Sequence, residues 1–174
     1  MRHDFLDFSM VNVHGLFRRG AMDLNALNTI VVAAKQACYV GGGEKSTSSR
    51  QGSHDLVWSQ GPWRYRDSYF GGTDFLGQET IWLDAEPVWA MNYHGYILRA
   101  DLIDAQRAGE TIKAALSAMY AEGRFLGGFT WVGPHGEYVD KSTGGVDLFS
   151  GEEAIYCAGT KAYGLRYSGG LIKP

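Results

Sequence analysis

The pattern of apolar and polar positions divides the chain into two helices, each followed by a run of short alternating segments. After Asp23, an N-cap residue type, Leu24, Leu27, Val31, Ala34 and Cys38 recur at helical spacing, and Gly41 supplies a stop. A second stripe comprises Ile112, Ala115, Leu116, Met119 and Tyr120 and ends at Gly123. Alternating segments bounded by glycines predict strands near 56–59, 63–69, 78–83 and 87–94, then near 129–132, 136–141, 152–157 and 161–167. Short strands with glycine turns favour antiparallel meanders, so the expected fold class is α+β. Residues 1–22 stand outside this pattern as an N-terminal extension, with a strand expected near Val11–Phe17; Met22 is a candidate natural start.

The two halves resemble each other. Aligning the stretch from Leu56 with that from Phe129, with one gap near Leu76, pairs Trp58 with Trp131, Tyr65 with Tyr138 and Asp67 with Asp140. It also pairs Gly71-Gly72 with Gly144-Gly145, Asp74 with Asp147, Gly77 with Gly151, Glu79 with Glu153 and Tyr93 with Tyr167. About eleven identities fall in roughly forty positions, where composition alone gives about three. The expected architecture is a duplicated α-β-β-β-β unit, copy one at about 23–98 and copy two at about 101–174. Each copy has one apolar sheet face to bury, so antiparallel sheets packed with pseudo-twofold symmetry are expected.

Alternation along the strands places Glu79 with Ile81 and Leu83, and Glu153 with Ile155 and Cys157. A carboxylate on the apolar side of its strand must find a partner or take up a proton. The hydroxyls of Tyr65 and Tyr138 and the N–H groups of the Gly-Gly turns are the expected partners. Two readings follow: each glutamate latches its own turn, which ranks first because it recurs in both halves, or the carboxylates face a shared cavity as acid/base groups. Asp74 and Asp147 are read in the same way, as turn formers bonding N–H groups two residues on.

The differences between the halves supply the candidate binding residues. Arg66, Ser68, Tyr69 and Phe70 stand opposite Val139, Lys141, Ser142 and Thr143, and Asn92 and His94 stand opposite Arg166 and Ser168. The segment GGGEKSTSSRQGSHD has no counterpart of its length in the second half. It fails the phosphate-loop pattern because Glu44 precedes Lys45, and it reads either as a flexible surface loop or as a lid bringing Arg50 to an anionic group. Arg66, Tyr69, Trp82, Asn92, His94 and Arg50 are the candidate ligand contacts. Glu79, Asp67 and His94 are the candidate acid/base residues, although alternation hints that Glu79 and His94 lie on opposite sheet faces.

Composition narrows the setting. The net charge of −3 gives no broad pull toward nucleic acid, so no direct nucleic-acid binding is expected. The two cysteines, Cys38 and Cys157, read as core positions and form no disulfide framework, which favours a reducing, cytoplasmic setting. No apolar run suits a membrane span and the N-terminus lacks a signal-peptide core, so no membrane partner is expected. The histidines lack ligand spacing, so no metal and no cofactor are expected.

The segments AKQACYVGGG, SSRQGSHDL, YRDSYFGGTDFLGQE and PVWAMNYHG together resemble an uncharacterised bacterial family known only as a domain of unknown function. The resemblance runs from about residue 24. It implies little chemistry. Some members look like the C-terminal part of proteins that begin with an Xre-type helix-turn-helix, which implies a sensor or partner module; the N-terminal segment here is not of that pattern, so DNA binding does not carry over. The resulting expectation is a small-molecule-binding, ligand-sensing module with an aromatic pocket in or beside the first repeat. The alternatives are a cofactor-independent acid/base enzyme (isomerase, cyclase or hydrolase) and a structural dimerisation module, with a homodimer allowed.

Overall fold

The computed structural model describes residues 22–42 and 44–173, so the strand expected near Val11–Phe17 lies outside the described residues. The first helix, α1, spans Leu24–Lys35, with the Asp23 carboxylate accepting hydrogen bonds from the N–H groups of Asn25 and Ala26. Its end widens into a π-helical segment, Gln36–Val40, closed by the Gly41 N–H donating to the Gln36 carbonyl at 3.0 Å. Four strands follow a short β1 (Glu44–Ser46): β2 (His54–Gln60), β3 (Trp63–Gly71), β4 (Phe75–Leu83) and β5 (Glu86–Ile97). The second helix, α2 (Ala105–Ala121), is capped by Asp104 and leads into β6 (Phe129–Gly133), β7 (Gly136–Gly145), β8 (Leu148–Cys157) and β9 (Thr160–Leu171).

The nine strands of the described residues form one antiparallel sheet in the order β1-β2-β3-β4-β5-β9-β8-β7-β6. This corrects the expectation of separate sheets packed on one another. The halves join edge to edge instead, through β5 and β9, with Tyr93 opposite Tyr167. Pairing the last strand of each half covers both of these edges and leaves β1 and β6 at the outside.

One sheet face carries the core. Leu27 and Val31 of α1 and Ile112, Leu116 and Met119 of α2 pack in one cluster with Ile81, Trp89, Ile155 and Tyr163. Trp89 is fully buried, and its indole N–H donates to the Val146 carbonyl at 2.9 Å. The hairpins turn at Gly71 and Gly144, with φ of 92° and 90°. A Cβ at either would lie 2.1 Å from a carbonyl oxygen across the turn, so both positions require glycine.

The segment before β2 is tied to the sheet and is not a free loop. Its β1 pairs with β2. Arg50 donates to the Ser68 carbonyl at 2.6 Å and lies 4.5 Å over the Phe70 ring. Beneath it, Asp55 accepts from the Ser49 N–H and from the hydroxyls of Ser53 and Ser68. Burial alone would raise the Asp55 carboxyl, but these hydrogen bonds outweigh it and hold the group at about 2.

Candidate functional site

The sheet, α2 and the π-helical segment enclose a cavity of about 310 Å³. Its floor is built by strand alternation, which turns Tyr65, Asp67 and Tyr69 of β3 and Glu79 of β4 toward the helices. Glu153 of β8 and Tyr163 of β9 reach it from the second half. The π-helical segment and the residue before it supply Lys35, Cys38 and Tyr39 from the side. The roof is α2, where Ala105, Gly109, Ile112, Leu116 and Tyr120 follow helical spacing. His54, Gly71, Gly72, Thr73 and Gly109 are exposed and form the mouth.

The floor is acidic. Asp67 and Glu79 are direct partners across β3 and β4, an arrangement that like charges oppose. Lys35 answers part of this charge, its Nζ lying 2.6 Å from Glu79 Oε1. On the other side the Tyr93 hydroxyl donates to Asp67 Oδ1 at 2.6 Å. Tyr93 reaches that far by lying across Gly77, where a Cβ would come within 2.3 Å of the hydroxyl. The second half repeats the device: Asp140 pairs with Glu153, and the Tyr167 hydroxyl crosses Gly151 to donate to Asp140 at 2.6 Å.

Several polar atoms here have no hydrogen-bond partner among the described residues. They include Glu79 Oε2, Glu153 Oε2 and Tyr163 Oη, on residues that keep only 6%, 9% and 1% of their exposure. Leaving such groups unpaired costs about 1–3 kcal/mol each, and more for charged ones. Protonation relieves part of this penalty. Burial, and after it the adjacent Glu79, pushes the Asp67 carboxyl up to about 7, against the opposing pull of Tyr93 and Lys35. Burial and then Asp140 push Glu153 up to about 8, against Lys35 and Tyr138. Burial likewise raises Cys38 to about 12, so its thiol is inert near neutral pH.

The residues expected from sequence separate between the two sheet faces. Tyr69, Asp67 and Glu79 line the cavity. Arg66, Trp82, Asn92 and His94 do not: Arg66 lies 6.0 Å over the Trp82 ring, Asn92 accepts from Gln78, and His94 rests 5.2 Å from Tyr96 on the outer face. Arg50 holds the segment before β2 and lies outside the cavity. The pairing of Glu79 with His94 is therefore not assembled. Tyr65 lies against Glu79 and Tyr138 against Glu153, the expected partners, and Glu79 also binds a helix lysine. The Asp74 carbonyl closes its turn by accepting from the Gly72 N–H at 3.1 Å, but its carboxylate accepts from the Ile97 N–H at 2.9 Å across the sheet.

Lys35, Tyr39 and Gly109 are among the cavity residues that sequence reasoning passed over, and Glu153 entered it only in the second reading of the glutamates. Lys35 left a signal: it stands four residues after Val31 and eight after Leu27, inside the apolar stripe of α1. A charge at such a position calls for a buried partner. Among the described residues no group of three or more His, Cys, Asp or Glu is placed to hold a metal ion, and no helix is long and apolar enough to cross a membrane. No curated protein and no solved structure matches the chain. A family match does exist and begins within β3, short of the residue 24 expected from the resemblance, so Lys35 lies outside it while Asp67, Glu79 and Glu153 lie inside. It covers residues 67–172, and by it the chain belongs to the family described as Domain of unknown function (DUF5680).

Proposed function

We propose that the chain is a small-molecule-binding module whose ligand enters the cavity beneath α2. One observation carries this reading: the nearly buried carboxyl side chains of Asp67, Glu79 and Glu153 line an accessible cavity of about 310 Å³, a size suited to a small ligand. Two features support it. A π-helical segment, a frequent companion of functional sites, supplies Cys38 and Tyr39 to the wall. Gly109 sits inside α2 at the mouth, where glycine costs about 1 kcal/mol relative to alanine, and no atom lies within 4 Å of where its Cβ would be. The resemblance to regulator-linked domains suits a sensing role. The recurrence of Asp67, Glu79, Gly77 and Tyr93 as Asp140, Glu153, Gly151 and Tyr167 supports reading the halves as copies of one unit.

Gly109 supplies the test. Gly109→Ala is expected to raise stability by about 0.5–1 kcal/mol through helix propensity, measured by urea unfolding. Gly109→Phe is expected to fold and to close the mouth. In a fragment screen read by amide chemical shifts, hits on the wild type should move Tyr39, Tyr69 and Gly72, and Gly109→Phe should abolish them. A screen in which no fragment moves these residues rejects the binding reading.

Acid/base catalysis stands as a second reading, favoured by the direct opposition of Asp67, raised to about 7, and Glu79. It requires a bound compound to be chemically converted by the wild type and left unchanged by Asp67→Asn. Binding hits that all return intact count against it.

A further inference from the structure

We infer that the ligand of this cavity is a small organic cation, an amine or guanidine carried on an apolar or aromatic body. The inference rests on the binding reading above and adds the chemical class. Carboxylates outnumber ammonium groups on the cavity floor: Asp67, Glu79 and Glu153 face Lys35, the only lysine or arginine among the described lining residues. Lys35 is committed to Glu79 Oε1. Asp67 and Glu153 have no cationic partner of their own among the described residues, and once ionised a carboxylate can only accept hydrogen bonds. A ligand that brings a positive charge and donors answers them, and an anionic ligand brings neither.

The walls agree. Tyr39, Tyr65, Tyr69, Tyr93, Tyr120 and Tyr163 line the cavity, and aromatic faces attract cations while accommodating apolar groups.

Binding is coupled to protons. Asp67 faces Glu79, Tyr93, Lys35, Asp55 and Cys38, and Glu153 faces Asp140, Tyr138, Tyr163, Tyr120, Glu79 and Lys35. In the free protein these surroundings keep protons on Asp67 and Glu153 into the neutral range. A cation replaces them, so protons pass to solvent as it binds and its affinity rises with pH until both groups are already ionised.

The test uses matched phenyl-bearing amines, alcohols and carboxylates of increasing chain length, the 2-phenylethylamine, 2-phenylethanol and phenylacetate set among them. Affinities come from calorimetry, and location from the shifts of Tyr39, Tyr69 and Gly72. The amines are expected to bind at least about tenfold tighter than their alcohols at about pH 8, and to weaken about tenfold or more at about pH 6, with protons released in proportion. The carboxylates should not bind. Glu153→Gln should bring the amine-to-alcohol ratio toward one while the alcohol affinity is kept. Alcohols or carboxylates that bind in the cavity as tightly as the amines overturn the cation inference and leave the binding reading standing. Amines that fail to bind, while the wider fragment screen finds cavity hits, overturn it too. Failure of both series removes the binding reading itself.

Discussion

Lys35→Met should destabilise the protein by about 3–5 kcal/mol near pH 8, the range for removing one partner of a buried ion pair. Nζ lies 2.6 Å from Glu79 Oε1, and both side chains keep only 8% of their exposure. Without the ammonium, Glu79 and Asp67 oppose each other directly across β3 and β4. The loss should shrink at acid pH, and the sign follows from linkage. Asp67 and Glu153 titrate at about 7 and about 8 in the folded chain, above their unfolded values near 4. The folded state therefore holds more protons, and these groups contribute stability that is full below about pH 4 and is lost as pH rises through 7 and 8. Lys35 lowers both groups. Its removal raises them further and steepens the decline. Urea unfolding at about pH 5 and about pH 8 should show a markedly larger loss at the higher pH, and Glu79→Gln added to Lys35→Met should recover much of it. A loss equal at both pH values, or below about 1 kcal/mol, would mean that Lys35 is not the counter-charge of the floor.

Trp89→Ala should cost about 3–5 kcal/mol by cavity formation alone. Trp89 belongs to β5 but is packed against the second half. Its ring stacks 5.7 Å from Phe149 and meets Phe125 edge-on at 6.0 Å, and its indole N–H satisfies the Val146 carbonyl in the β7–β8 turn. The substitution thus opens a void and strands a carbonyl at the place where the halves are tied together. Trp89→Phe keeps most of the ring and loses the donor, so it should cost less, about 1–3 kcal/mol. Equilibrium urea unfolding followed by circular dichroism orders the three proteins. If Trp89→Ala falls within about 1 kcal/mol of the wild type, the halves are not locked through this side chain.

Local pattern made much of the fold legible. Asp23 caps the first helix as its residue type predicts, and the apolar stripes that end at Gly41 and Gly123 follow from helical spacing. Alternation placed Glu79 and Glu153 on the inner face before any coordinates did. The join between β5 and β9 was not legible, because it pairs residues far apart in the chain that carry no local mark of each other. The candidate contacts divided for a plainer reason. Arg66, Asn92 and His94 were chosen because the halves differ there, but alternation puts them on the outer face beside Trp82, Gln78 and Tyr96. Glu79 reads first as structural because it recurs, and Asp67 suits either use, yet both line the floor. Recurrence marks what the unit needs, and here that includes the polar floor of the cavity. Lys35 was legible in principle as a charge in an apolar stripe, and Gly109 as a glycine inside a helix.

The floor of the accessible cavity places carboxyl groups where burial holds protons on them into the neutral range. Carboxyl carbon NMR of labelled protein, titrated across this range and assigned with Asp67→Asn and Glu153→Gln, measures them directly. Midpoints near 7 for Asp67 and near 8 for Glu153 are the predicted result. Midpoints near 4 for both, the ordinary range of a solvated carboxyl, would contradict it.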